Sequence, residues 1–305
     1  MFKKIVSNLF LYIIVIFVLD FSVGSFLRYY YFSEESGLHY RTTFSLEETT
    51  ADILVFGSSR ANHHYVPEIF LNEFNMSYYN TGRDGNGILY QTAVLKSILK
   101  RYSPKIIILD FYGSFEENTK DYDRLSALLP YYKSHKEIRR IVELKSSYEK
   151  IKLLSHIYPY NSMLLTIMIG NTEYNKGRKH DDKGYVPLYK KWRLPIETRD
   201  SIFINHIDSN LVDAFCDFIS LSKQSGAEVI VAYSPIYIKN QYDSRIAFAK
   251  STCDSLNIDF IDFSNDEVFL SNGSYFQDPS HLNHDGALLF SRQLSLIMRN
   301  NILNK

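Results

Sequence analysis

Asp52-Ile53-Leu54-Val55-Phe56-Gly57-Ser58-Ser59-Arg60 is the stretch from which the rest of the chain is read. Four consecutive apolar residues closed by glycine describe a short strand buried on both faces and followed by a turn. A serine at such a tip projects from the turn. The helix that follows begins with amide groups that lack an intrahelical partner and favour negative charge. Downstream the pattern repeats. Residues 66–74 form a helix with Pro67 in its first turn. Residues 77–80 form a second strand, ended by Gly82-Arg83-Asp84-Gly85-Asn86-Gly87. Residues 88–101 are apolar at helical spacing (Leu89, Ala93, Ile98), and residues 105–109 form a third strand. Residues 211–225 are a helix capped by Gly226, residues 228–233 a fourth strand, residues 242–256 a helix, residues 258–261 a fifth strand, and residues 284–301 a last helix. Strands alternating with helices predict an α/β fold with a parallel sheet covered on both faces. Ligands of such sheets sit at the carboxyl ends of the strands, so the loops after Phe56, Asn80, Leu109 and Tyr233 are expected to converge on one site.

Upstream, residues 5–27 are apolar, with Asp20 as the one charged residue, and are long enough to cross a bilayer as a helix. Lys3 and Lys4 precede the run and place the N-terminus in the cytoplasm by the positive-inside rule. A cleaved signal peptide would have a shorter apolar part and an A-x-A-like site; only weak small-residue candidates occur near Ser22, Gly24 and Ser25, which favours an uncleaved anchor. Residues 1–30 are thus expected as a single-pass membrane anchor, 31–50 as a connector, and 51–305 as an extracytoplasmic α/β domain. An insertion at about 114–208 is too long for one crossover. It reads as helices that cap the site or rest on the membrane surface, and residues 170–200 read as a surface loop. Asp20 is expected either at a helix interface or reaching the headgroups. Lys plus Arg and Asp plus Glu balance at 34 each, which leaves no basic excess for nucleic acid. Cys216 and Cys253 read as separate buried thiols, and no zinc-ligand spacing occurs. The 24 Tyr and 21 Phe admit either sugar stacking or plain compositional bias.

Three short motifs carry chemistry. Gly57-Ser58-Ser59-Arg60 offers a nucleophile. Asp278-Pro279-Ser280-His281 places a carboxylate three residues before an imidazole, where it would fix the tautomer and stabilise the imidazolium. Asn80-Thr81-Gly82 offers a backbone donor after the second strand. Arg60 and Arg83 flank this region. They are expected to hold an anionic substrate group such as a uronate or phosphate, or else to pair with Asp84 or Asp110. His63 and His64 read as surface residues at the start of a helix.

The order of these motifs resembles the SGNH (GDSL-like) hydrolase superfamily over residues 51–301, with Asp278-Pro-Ser-His-Leu-Asn-His-Asp-Gly-Ala287 as the most specific block. The Gly-Ser-Ser-Arg form looks like the membrane-anchored branch associated with acylation of envelope polysaccharide and teichoic acid. The resemblance implies a flavodoxin-like three-layer α/β/α sandwich with a five-stranded parallel sheet. It also implies Ser59 as nucleophile, His281 as base, Asp278 as its partner, and the amides of Ser59 and Gly82 as oxyanion donors. No metal or organic cofactor is implied. The family's Asp before the nucleophile is Ser58 here. Its third-block Asn is missing from Leu109-Asp110-Phe111-Tyr112-Gly113, which leaves the Tyr112 hydroxyl or Asn118 as the replacement donor. The expected function is that of a serine esterase or O-acyltransferase acting on an acylated extracytoplasmic polysaccharide. A multi-span membrane acyltransferase is an expected partner. The other reading is a non-catalytic envelope protein that binds glycan or such an acyltransferase.

Overall fold

The computed structural model describes residues 2–113, 115–116, 119–172 and 183–303. The described residues of Met1–Thr43 and Leu125–Lys179 pack as one unit, and those of Phe44–Arg124 and His180–Lys305 as another.

The first unit is built on α1 (Phe2–Phe32), a helix long and apolar enough to cross a membrane. Most of its length is exposed, and its C-terminal part is where packing begins: Gly24, Leu27 and Tyr31 are buried. Tyr31 lies fully buried against His39, Tyr131 and Tyr160, with ring centroids 4.7, 6.0 and 5.7 Å away. Its hydroxyl donates to that of Tyr131 at 3.2 Å. The aromatic excess therefore has a structural use, since large rings fill a small all-helical core with few side chains. The stretch expected as a connector holds the end of α1, a separate short helix at Gly37–Thr43 and a π-helical turn at Phe44–Glu48. Of the inserted segments, Tyr158–Met163 and Leu164–Gly170 pack on α1. Among the described residues no second helix is long and apolar enough to cross a membrane. Asp20 is an interface residue. Its carboxylate accepts from Ser155 Oγ (2.5 Å) and from the amides of His156 (2.7 Å) and Ile157 (3.3 Å).

The second unit is α/β, as the apolar strands require. Its sheet contains β1 (Ile53–Phe56), β2 (Tyr78–Asn80), β3 (Ile106–Asp110), β4 (Glu228–Tyr233) and β5 (Asp259–Asp262). They are all parallel and ordered β2-β1-β3-β4-β5. This is the flavodoxin-like order, whose switch point lies between β1 and β3. Residue parity along β1 sends side chains to two layers. Ile53 and Val55 join the core with Phe290, Leu294 and Met298 of the C-terminal helix. Phe56 meets Phe218 on the opposite face, with ring centroids 5.1 Å apart. The flanking helices are α2 (Ser59–His64), α3 (Pro67–Phe74), α4 (Ile88–Leu99), α5 (Ser209–Gln224), α6 (Ser244–Ser255) and α7 (His284–Leu303). Helices α2, α3 and α7 pack together, and α4 packs on α5.

In the expected loop, residues 173–182 lie outside the described residues. Beyond them, Tyr185 is buried and Glu197–Arg199 pairs with Ile238–Asn240 as a second small sheet. Cys253 is buried and Cys216 partly so, both as free thiols, and burial pushes the Cys253 thiol up to about 12.

Candidate functional site

The turn from β1 into α2 depends on Gly57. Its φ of +146° suits glycine, and a Cβ there would lie 2.8 Å from the Asp110 carbonyl oxygen. The chain reverses tightly, and Ser59 becomes the first residue of α2, at the carboxyl end of β1 beside the switch point. Its amide is one of the donors a helix start leaves unpaired. The partner comes from a two-strand hairpin, Phe276–Asp278 with His281–Leu282. Asp278 Oδ1 accepts from the amides of Ser280 (2.9 Å) and His281 (3.1 Å), so the carboxylate itself closes the turn. Both its oxygens also lie 2.9 Å from His281 Nδ1. Nδ1 facing a carboxylate carries the proton, which leaves the Nε2 lone pair for Ser59 Oγ at 2.7 Å. Burial opposes ionisation of Asp278. The ring of His281 and the two turn amides outweigh it and hold the carboxyl below the ordinary carboxylate range. Ser59 and His281 are half-buried and remain open to a small reactant.

Ser59, His281 and Asp278 thus meet across 222 residues of chain with a donor, a base and an orienting anion in series. No protein-family model and no curated protein matches this chain. Asn283 fixes the passage from His281 into α7. Its Oδ1 accepts from the Gly286 amide at the start of that helix, and its Nδ2 donates to Ser274 O at 2.7 Å.

The other expected site residues are placed differently. The Gly82 amide already donates to Asn80 Oδ1 at 2.9 Å, while Asn80 Nδ2 donates to Ala61 O at 2.7 Å. The asparagine loop is locked onto α2, and Gly82 presents no open donor in this state. Tyr112 is 48% exposed, stacks on the Arg60 guanidinium at 4.6 Å, and lines a cavity with Ser58. Asn118 lies outside the described residues.

Of the two readings open for Arg60 and Arg83, Arg60 takes the pairing with Asp110, and both arginines are buried. Arg60 is only 1% exposed, and its guanidinium lies between the rings of Tyr112 and Tyr233. It donates to Asp110 Oδ1 (3.1 Å), Phe111 O (2.5 Å) and Ser234 O (3.1 Å), tying α2 to the ends of β3 and β4. Burial works against its charge, and the Asp110 carboxylate beside it keeps it protonated. Arg83 stacks over Tyr90, which is itself buried. The cations that do face a cavity, of about 350 Å³, are Lys120, Arg124 and Arg245, together with Asp121 and Asp243. Arg245 is paired there with Asp243.

The surface reading of His63 and His64 is also corrected. His63 is 8% exposed. Its Nδ1 donates to Val186 O at 2.6 Å, and its ring stands edge-on to His281 at 5.8 Å. His64 is fully buried. The Leu282 amide donates to its Nε2 at 2.9 Å, so Nδ1 carries the proton and donates to Ser234 Oγ at 2.9 Å. Ser234 Oγ then donates to Asp110 Oδ2 at 2.6 Å. Burial first, then the neighbouring His281 and Arg60, hold the His64 pKa well below the usual histidine range, so it is neutral. This chain of bonds joins the residue after His281 to the residue after Ser59 through two strand tips. Sequence reasoning placed Ser234 and Asp110 at those tips. The one available signal for His64 was its position within a helix that begins at the sheet's carboxyl edge.

Proposed function

We infer that this chain is a membrane-anchored serine esterase or O-acyltransferase of the SGNH-like kind, acting on an acyl ester of an extracytoplasmic polysaccharide. The observation that carries the reading is the serial contact of Ser59 Oγ with His281 Nε2 (2.7 Å) and of His281 Nδ1 with Asp278 (2.9 Å). Ser59 Oγ attacks the ester carbonyl as its proton passes to His281 Nε2, and Asp278 stabilises the imidazolium. The oxyanion gains the Ser59 amide and the electropositive start of α2. Collapse expels the alkoxide, which takes the proton from His281. Water or a sugar hydroxyl, deprotonated by His281, then releases the acyl group. The apolar α1 with Lys3 and Lys4 before it supports an anchor whose N-terminus is cytoplasmic and whose α/β unit is extracytoplasmic.

The test is a fluorophosphonate label, followed by acetyl-ester hydrolysis, on the full chain in vesicles beside Ser59→Ala. Labelling confined to the unaltered chain is expected; equal hydrolysis by both proteins would sink the nucleophile. A second reading draws support from the engaged Gly82 amide, since losing one oxyanion donor costs about 10²–10³ in turnover. In that reading the chain binds glycan or a multi-span acyltransferase without turning over. Absence of labelling in the folded chain would favour it.

A further inference from the structure

We propose that the inserted segment around Tyr148–Leu154 is immersed in the bilayer leaflet at the C-terminal end of α1, as a lipid-contacting element beside the spanning helix. The proposal rests on the anchor reading of α1. Its depth follows from Asp20. That residue stands seven positions before Leu27, where the apolar run ends, which at 1.5 Å per residue is about 10 Å inside the run. A carboxylate at such depth is costly unless neighbouring groups satisfy it. Here Ser155 Oγ and the amides of His156 and Ile157 do so. Backbone that is not helical is tolerated at membrane depth only where its polar groups are satisfied by protein. The Asp20 carboxylate satisfies the His156 and Ile157 amides of this turn. Contact is close, because a side chain on Gly24 would overlap the backbone of His156. The segment then climbs along α1. Asn171 Nδ2 reaches the Tyr30 carbonyl at 2.9 Å, and Asn171 Oδ1 accepts from Ser33 at 3.1 Å.

The side chains beside the deep turn fit lipid. Leu154 is 75% exposed, Ile151 66% and Tyr148 68%, within and on either side of the short helix Glu149–Lys152, whose Lys150 and Lys152 pair with Glu143 and Glu149. Leu165 and Met168, nearer the end of α1, are exposed as well. Residues 125–170 also carry seven Lys or Arg against three Glu. Lys and Arg of that kind keep their heads at the lipid surface while their stems follow apolar surface. Apolar faces with a basic fringe, fixed to a spanning helix, describe an interfacial element.

The experiment uses the chain's single tryptophan as a starting point. In a Trp192→Phe background, Ile13→Trp, Leu154→Trp and Leu194→Trp are reconstituted in phosphatidylcholine–phosphatidylglycerol vesicles, with acyl chains brominated near the carbonyl or near the methyl end. Leu194 is an exposed residue of the α/β unit. Leu154→Trp should lose most of its emission to carbonyl-end bromine, Ile13→Trp to methyl-end bromine, and Leu194→Trp to neither. Quenching of Ile13→Trp with none of Leu154→Trp overturns immersion and leaves the anchor standing. Quenching of neither Ile13→Trp nor Leu154→Trp overturns the anchor and the proposal with it. A second readout leaves residue 192 alone: Leu154→Cys should react more slowly than Leu194→Cys with a membrane-impermeant maleimide, and equal rates overturn immersion.

Discussion

His281 and His64 each belong to a serine, histidine and aspartate set, and the two sets are wired in opposite order. At His281 the carboxylate holds Nδ1–H and the free lone pair of Nε2 faces the serine hydroxyl. At His64 the lone pair is taken by the Leu282 amide, the ring N–H points at Ser234, and the serine proton goes to Asp110. The first arrangement leaves a base beside an accessible hydroxyl. The second leaves no lone pair on the ring, and both Ser234 and His64 are shut from solvent. The same three residue types thus leave a free imidazole lone pair beside an accessible hydroxyl in one place and form a buried brace in the other. The direction of donation and the access of solvent decide which.

The contrast is broken most severely at Asp278. Asp278→Asn would invert the tautomer of His281, and ester hydrolysis should fall by about 10⁴ while the fold is kept. A loss of tenfold or less would mean that the carboxylate only shapes the turn. On the braced side the effect should appear in stability instead. Asp110→Asn leaves the buried Arg60 guanidinium without its counter-ion and should cost about 3–5 kcal/mol in denaturant unfolding of the detergent-solubilised chain. Arg60→Met combined with Asp110→Leu should recover much of that. Ser234→Ala strands the His64 N–H and one Asp110 oxygen and should cost about 1–3 kcal/mol, with Ser59 labelling retained. The smallest effect is on pH. The folded-state pKa of His64 is depressed, so below about 6.5 the unfolded chain takes up a proton that the native chain refuses. Stability should then decline as pH drops below that point, measured as a falling melting temperature. His64→Phe should flatten the decline.

The strand at Ile53–Phe56, its glycine and the serine after it were legible in the sequence because each rests on local chemistry: apolar continuity, a φ that suits glycine, a helix start. Asp278 and His281 were legible because their spacing of three already allows the contact. His64 was not, because its burial is set by Leu282, which is 218 residues away and meets it only once the hairpin docks. Arg60 looked like a ligand-binding cation beside a nucleophile, and the pairing with Asp110 was open as an alternative. What decided between them is the packing that brings Asp110, 50 residues away at the end of β3, against Arg60. Gly82 reads from the sequence as an open backbone donor, but the side chain of Asn80, two residues earlier, accepts its amide.

The hairpin that carries His281 has only two short strands, and α7 begins right after it. Phe290, Leu294 and Met298 of that helix are core residues. The seating of the last helix and the position of His281 are therefore one event. A loosened α7 would withdraw His281 from Ser59 before the sheet itself came apart. Reactivity at Ser59 would then serve as a gauge of the chain's final packing step, lost earlier on a denaturant ramp than the circular-dichroism signal of the helices.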